Sequence, residues 1–188
     1  MPLTKIQSLG ITDGTIVNAD INASAAIAST KLSGVQGKFE SALLHVQDEK
    51  SQSTAGGAST GTSFNTRTLN TTKTNEISGA SLASNQITLP SGTYFIIAHA
   101  PSYLSSLNKL RLRNITDTTT TLEGMSQFND PTYNGHGHNF MTGRFTIASS
   151  KVFEIQHWIN DAQGTNGLGR FVGQGTEVYT TVQIWKVA

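Results

Sequence analysis

Among the side chains able to ligate, stack or move protons, the pair His136-Gly137-His138 comes first, because two imidazoles two residues apart can share one metal ion. On a threefold axis three copies would offer six nitrogens, an octahedral set suited to a first-row metal. No nearby carboxylate repeats the pattern and the chain has no cysteine, so the sequence assigns no metal and no cofactor, and the pair equally suits an ordinary polar loop. The two longest turns after residue 100, Asn129–His138 and Asp161–Arg170, are rich in Asn, Gly, Asp and Gln, with Tyr133 and Phe171 in or beside them. Planar amides for hydroxyl groups and an aromatic face for stacking are what a sugar-binding surface needs. Asn and Gly are also what any turn uses. Tyr133, Asn134, His136, His138, Asn166 and Arg170 are the candidate contacts on this reading.

Catalysis finds little support. There is no Gly-x-Ser-x-Gly elbow, no His-Glu-x-x-His and no phosphate loop, and the chain reads as a non-enzyme. His99 beside Phe95 and Ile97, and His157 beside Phe153 and Ile155, read as buried, satisfied core histidines. Glu154 shares a strand face with Gln156 and Trp158. The row Lys109, Arg111, Arg113 reads as a solvated sheet face paired with carboxylates. With 13 basic against 12 acidic residues and a net charge of +1, neither nucleic acid nor an anionic membrane is an expected partner. No stretch approaches the roughly 20 apolar residues of a membrane helix, and none reads as an export signal.

The elements that must position these residues divide sharply. Residues 1–38 contain no Phe, Tyr or Trp, only scattered aliphatics: Ile6, Leu9, Ile11, Ile16, Val17, Ile21 and Ile27 among them. Such a segment cannot close a core alone, so it reads as an arm, residues 1–34, ordered against a partner. Val35, Phe39, Leu43 and Val46 recur at spacings of four, four and three, which predicts a short helical junction over 35–46. It would either cap the following domain or form a three-helix plug. Residues 51–75 hold 12 Ser or Thr in 25, a flexible loop or a polar edge strand.

From there the pattern is β. Thr93–Ala100 is apolar on both faces, Asn108–Ile115 alternates cleanly, and Glu177–Val187 is again apolar on both faces. Asn139–Ile147 and Lys151–Ile159 read as an antiparallel pair across Ala148-Ser149-Ser150. Turns at Pro90-Ser91-Gly92 and Thr116-Asp117 argue for a mainly β antiparallel sandwich or barrel over 47–188. Strands apolar on both faces must be covered on both faces. Phe39, Leu43, Tyr94, Trp158, Val178, Val182 and Trp185 are therefore the candidate contacts to another subunit.

Two stretches carry a family resemblance. GTIVNADINASAAIASTKL, from Gly14 to Leu32, resembles a connector of phage fibre proteins, notably those of marine and cyanobacterial phages. LLHVQDEKSQSTAGG, TNEISGASLASNQITLPSGTYFIIAHAP, LRLRNITD, GRFTIASSKVFEIQH and GTEVYTTVQIWKV, over roughly 43–188, are similar to the C-terminal domain of phage tail-fibre and minor structural proteins. That domain in turn resembles C1q/TNF-like jelly-roll knobs, which form homotrimers. The resemblance implies a virion component, assembled in the host cytoplasm, whose arm docks on other virion proteins and whose loops contact a host-surface glycan. The repeat shaft of long fibres is missing, which keeps a capsid decoration or head-fibre role open beside the short fibre.

Overall fold

The computed structural model describes residues 42–132 and 135–187. Twelve strands follow in chain order: β1 (Ala42–Lys50), β2 (Ser63–Thr66), β3 (Thr71–Asn75), β4 (Ser81–Ala83), β5 (Gln86–Leu89), β6 (Gly92–Tyr103), β7 (Ser106–Asn114), β8 (Thr119–Glu123), β9 (Gln127–Asn129), β10 (His136–Ile147), β11 (Lys151–Ile159) and β12 (Glu177–Lys186). Among the described residues there is no helix. One sheet runs β10-β6-β12-β1-β3; the other runs β4-β5-β11-β7-β8, with β2 beside β11 and β9 beside β7. Every strand pair is antiparallel.

The core lies between the sheets because one alternate face of each long strand is apolar. Leu44, Val46, Tyr94, Ile96, Ala98, Met141, Val182 and Ile184 come from the first sheet, and Ile87, Leu89, Leu110, Leu112, Phe153 and Ile155 from the second. Phe145 joins the layers, its ring centroid 5.5 Å from Tyr94 and 5.4 Å from Phe153. Turn chemistry matches the connections. Ser84 and Asn85 both take positive φ (51° and 66°), which a two-residue hairpin between β4 and β5 requires.

Three expectations are corrected. Residues 42–46 are strand, so the helical stripe fails there. Leu44 and Val46 point into the core and Leu43 points away, which is period two; Val35 and Phe39 lie outside the described residues. The sandwich thus starts at Ala42, ahead of residue 47. Strands β10 and β11 do not pair: β10 bonds β6 and β11 bonds β7, so Ala148-Ser149-Ser150 is an arch between sheets. Alternation shows that two strands face one core, and it is the same whether they sit side by side or on opposite walls. The serine- and threonine-rich stretch, by contrast, supplies the polar edge strand β3.

One end of the sandwich is filled with polar groups. Asn108 Oδ1 accepts from Ser102 Oγ at 3.3 Å, from Asn139 Nδ2, and from His157 Nε2 at 3.3 Å, which fixes the His157 tautomer. The Asn129 amide bonds both Ser102 and Ser105. His157 is fully buried, as its sequence context implied. Burial, with Arg67 adding to it, lowers its pKa well below the ordinary value, so the ring is neutral. Arg67 itself has no exposed surface. Its guanidinium donates to Thr180 Oγ1 (2.9 Å), Leu168 O (2.8 Å) and Pro101 O (3.2 Å), tying β12, the 160–170 loop and β6 together. Burial brings its pKa down to about 10 against the opposing pull of Asp48, which leaves it charged at neutral pH.

Candidate functional site

Two surfaces emerge from this frame: the outer face of the five-stranded sheet, and a cluster in the loops at the polar end.

The strand register sets the first surface out in rows. Arg144, Phe95, Trp185 and Leu43 are successive cross-strand neighbours from β10 to β1; Thr142, Ile97, Gln183 and His45 form the next row, then Phe140, His99, Thr181 and Gln47. All have their backs to the core. Phe95 is 38% exposed, and Leu43, Ile97, Phe140 and Trp185 are half-buried. The Phe95 and Trp185 ring centroids are 6.2 Å apart, so the large groups touch and form a patch. At the β10 edge Met125 N donates to Phe140 O and Met125 is 66% exposed, while the cross-strand pair Leu107 and Phe128, 56% and 63% exposed, lies on the outer face of the other sheet. The apolar surface therefore reaches Met125 at the β10 edge, and Leu107 with Phe128 forms a second exposed apolar group.

Of the subunit-contact candidates, Leu43 and Trp185 lie on this face and Val178 is exposed at the start of β12. Tyr94 and Val182 are corrected: both have no exposed surface in a single chain and belong to its own core. Trp158 is on the opposite wall, edge-on to Phe64 at 5.2 Å, and it shares no surface with Trp185. Phe39 lies outside the described residues. Sequence reasoning missed Phe95, Ile97 and Phe140 as contacts. Their partners in the alternation, Tyr94, Ile96 and Met141, are just as apolar, and alternation alone does not say which set faces in.

On the opposite outer face Lys109 and Arg111 of the basic row are paired. Lys109 meets Glu123 at 2.8 Å, and Arg111 lies over the Phe64 ring at 3.4 Å while donating to Gln156 Oε1. Glu154 accepts from Gln86, Thr66 and Gln156. Burial disfavours its charge, yet these three bonds outweigh burial and lower its pKa.

At the polar end, the loops after β1, β6, β9 and β11 converge. Tyr103 N donates to Gly167 O and Leu104 N to Gly135 O. Gly169 (φ +133°) lets the 160–170 loop pass Tyr179 so closely that a Cβ there would stand 2.2 Å from the ring. Two candidate contacts meet on Tyr103. The His136 ring centroid is 5.0 Å from it, and Arg170 Nη1 lies 3.2 Å from its hydroxyl. Asn166 is half-buried in the same loop. Tyr133 and Asn134 lie outside the described residues, as do the arm candidates Ile6, Leu9, Ile11, Ile16, Val17, Ile21 and Ile27. His138 diverges from His136 and joins His99 on the sheet face, with His99 Nδ1 and His138 Nε2 3.0 Å apart. His99, expected in the core, is thus corrected to the outer face. Burial, with the neighbouring His138 adding to it, lowers its pKa.

The chain matches no protein-family model, and no curated protein is similar to it in sequence. Solved structures do resemble it. Murine APRIL at pH 5.0 superposes with a TM-score of 0.53 at 8% identity, covering 79% of this chain and 100% of that one. The pH 8.5 structure gives 0.50 at 9% identity with the same coverage. The globular domain of zebrafish complement 1qA gives 0.49 at 16% identity, covering 79% and 98%. At such identities the APRIL likeness shows the fold alone. The described chain is an antiparallel jelly-roll sandwich of the C1q/TNF-like kind.

Proposed function

We propose that this chain is a non-enzymatic structural protein of a tailed-phage virion, a homotrimeric short fibre or knob carried on the particle and contacting the host surface through its loops. The observation that carries the trimer is the apolar outer face of the five-stranded sheet, with a second exposed apolar group on the other sheet. A closed threefold ring is heterologous: each copy presents two different patches, one to each neighbour. The face built from Phe95, Trp185, Leu43 and Ile97 and the exposed pair Leu107 and Phe128 on the other sheet are two such patches. The virion assignment rests on the sequence resemblances over 14–32 and 43–188.

In this reading the arm docks on other virion proteins, and three copies of the loop end face outward. The end where His136 and Arg170 pack on the buried Tyr103, with the exposed Phe171 beside them, offers an aromatic face and planar donors for a glycan. Weak single contacts then gain from threefold presentation. A capsid decoration or head-fibre role, with the arm clamping capsomers, has one observation in its favour. The sequence carries no repeat shaft ahead of the strands of the sandwich.

Immunogold electron microscopy of intact particles, with antibody raised against the sandwich, tests the proposal. Gold at the tail or its fibres supports host recognition, gold scattered over the head supports decoration, and particles free of gold refute a virion role.

A further inference from the structure

The outer face of the five-stranded sheet holds four of the chain's five histidines. His45, His99, His136 and His138 all point away from the core, and only His157 is inside. Two of the four are brought together across strands far apart in sequence. His99 on β6 and His138 on β10 are diagonal neighbours, since His99 stands opposite Phe140 and His138 opposite Pro101. Their facing nitrogens, His99 Nδ1 and His138 Nε2, are 3.0 Å apart. Imidazole nitrogens bind a first-row divalent metal at about 2.1 Å, so two donors at a right angle on one ion stand about 3.0 Å apart. The spacing of the pair is that of adjacent ligands on a single ion.

We propose that His99 Nδ1 and His138 Nε2 form a surface site for a borderline divalent transition metal, Zn2+, Ni2+ or Cu2+, with water completing the coordination shell. The site is not the His-x-His pair that the spacing of 136 and 138 brings to mind. His136 is drawn off against Tyr103, ring centroids 5.0 Å apart, while His138 turns to His99. Packing holds the His99 ring in place, with the Phe140 ring 4.9 Å away on the same face. Without metal, one facing nitrogen must carry a proton to donate to the other. With metal, both rings hold their single proton on the far nitrogen, at His99 Nε2 and His138 Nδ1.

Among the described residues, no set of three or more His, Cys, Asp or Glu is placed to hold a metal. The two imidazoles are therefore the protein's share of the site, and hard cations, which require oxygen ligands, are excluded. The inference goes beyond the virion reading, and both ligands come from one chain.

The test is isothermal titration of the full chain, free of any histidine tag, with Zn2+ and Ni2+, alongside 15N imidazole spectra. Expected are one ion bound per chain, no competition from excess Ca2+, and coordination shifts at His99 Nδ1 and His138 Nε2. His138→Gln and His99→Gln should each weaken binding at least about tenfold, while His136→Gln changes it less than about twofold. Circular dichroism and melting of the metal-free proteins check the fold. His138 is exposed, so His138→Gln decides the matter should His99→Gln misfold. No binding by the parent chain, an undiminished affinity in folded His138→Gln, or an equal loss in His136→Gln would overturn the assignment.

Discussion

Replacing Phe95 with Asp puts the proposed assembly surface to its hardest test. In a lone chain the side chain is 38% exposed on the outer face, so a carboxylate there reaches water and the sandwich should still fold. In the trimer the same position is covered by a neighbour, and an uncompensated buried charge costs about 3 kcal/mol or more. Threefold symmetry repeats that cost three times, about 9 kcal/mol in all. At about 1.4 kcal/mol per tenfold, the trimer association constant should fall by about six orders of magnitude. Light scattering should find the parent near three times the 20.1 kDa chain mass and the variant near one chain mass at micromolar concentration. Thr88→Asp, on the outer face of the opposite sheet, should leave the mass unchanged. A Phe95→Asp protein with native circular dichroism that is still trimeric would refute the placement of the interface, and a monomeric parent would refute the trimer.

Arg67→Met leaves Leu168 O and Pro101 O without their donor and removes one of the two cations acting on Asp48, the other being Lys50 at 3.2 Å. It should cost about 3–5 kcal/mol in chemical denaturation; a loss under about 1 kcal/mol would show that the buried guanidinium does not organise the loops. His157 has a folded pKa well below its unfolded value, so between the two the unfolded chain binds the extra proton and stability falls as pH drops. Stability should be complete above about pH 6.5 and decline below it by up to about 1.4 kcal/mol per pH unit, with His157→Gln flattening the profile; an identical slope in the variant would count against burial of a neutral ring. Glu177 accepts from the amides of Ser53, Val172 and Gly173, and the two bonds from Val172 and Gly173 head the causes that lower its pKa. Glu177→Gln should speed hydrogen exchange at those three amides and leave the core of β6 unchanged.

Much of the fold was legible because alternation is a local signal. The limits of β11 and the clean inside–outside rhythm of Leu110 and Leu112 against Lys109 and Arg111 could be read off directly. What failed were the non-local matters. A three-residue loop after Ile147 gives no sign of whether the next strand turns back in the same sheet or crosses to the other. For β6, apolar on both sides, only the pairing with β12 and β10 decides that Tyr94 goes in and Phe95 out. The His99–His138 pair and the Arg67 cluster join residues 39 and up to 113 positions apart, beyond any spacing rule. In the loops, composition pointed to His136 and Arg170, and the structure packs both against Tyr103. Their convergence on Tyr103 depends on β6 ending beside β10, which no spacing records.

The seam between β1 and β12, where Ala42 pairs with Lys186, bears on how the molecule comes into being. Strand β12 lies in the middle of its sheet, bonded to β6 on one side and β1 on the other. A chain emerging from the ribosome exposes β1 and β6 long before their shared neighbour is synthesised. Until β12 emerges, both strands have open edges and the inner apolar face has no complete wall. The sandwich therefore closes late, through its most distant contacts, which makes folding slow and the nascent chain prone to aggregate. Loss of the last ten residues should remove the fold as a whole, whereas a cut in the 160–170 loop leaves every strand in place.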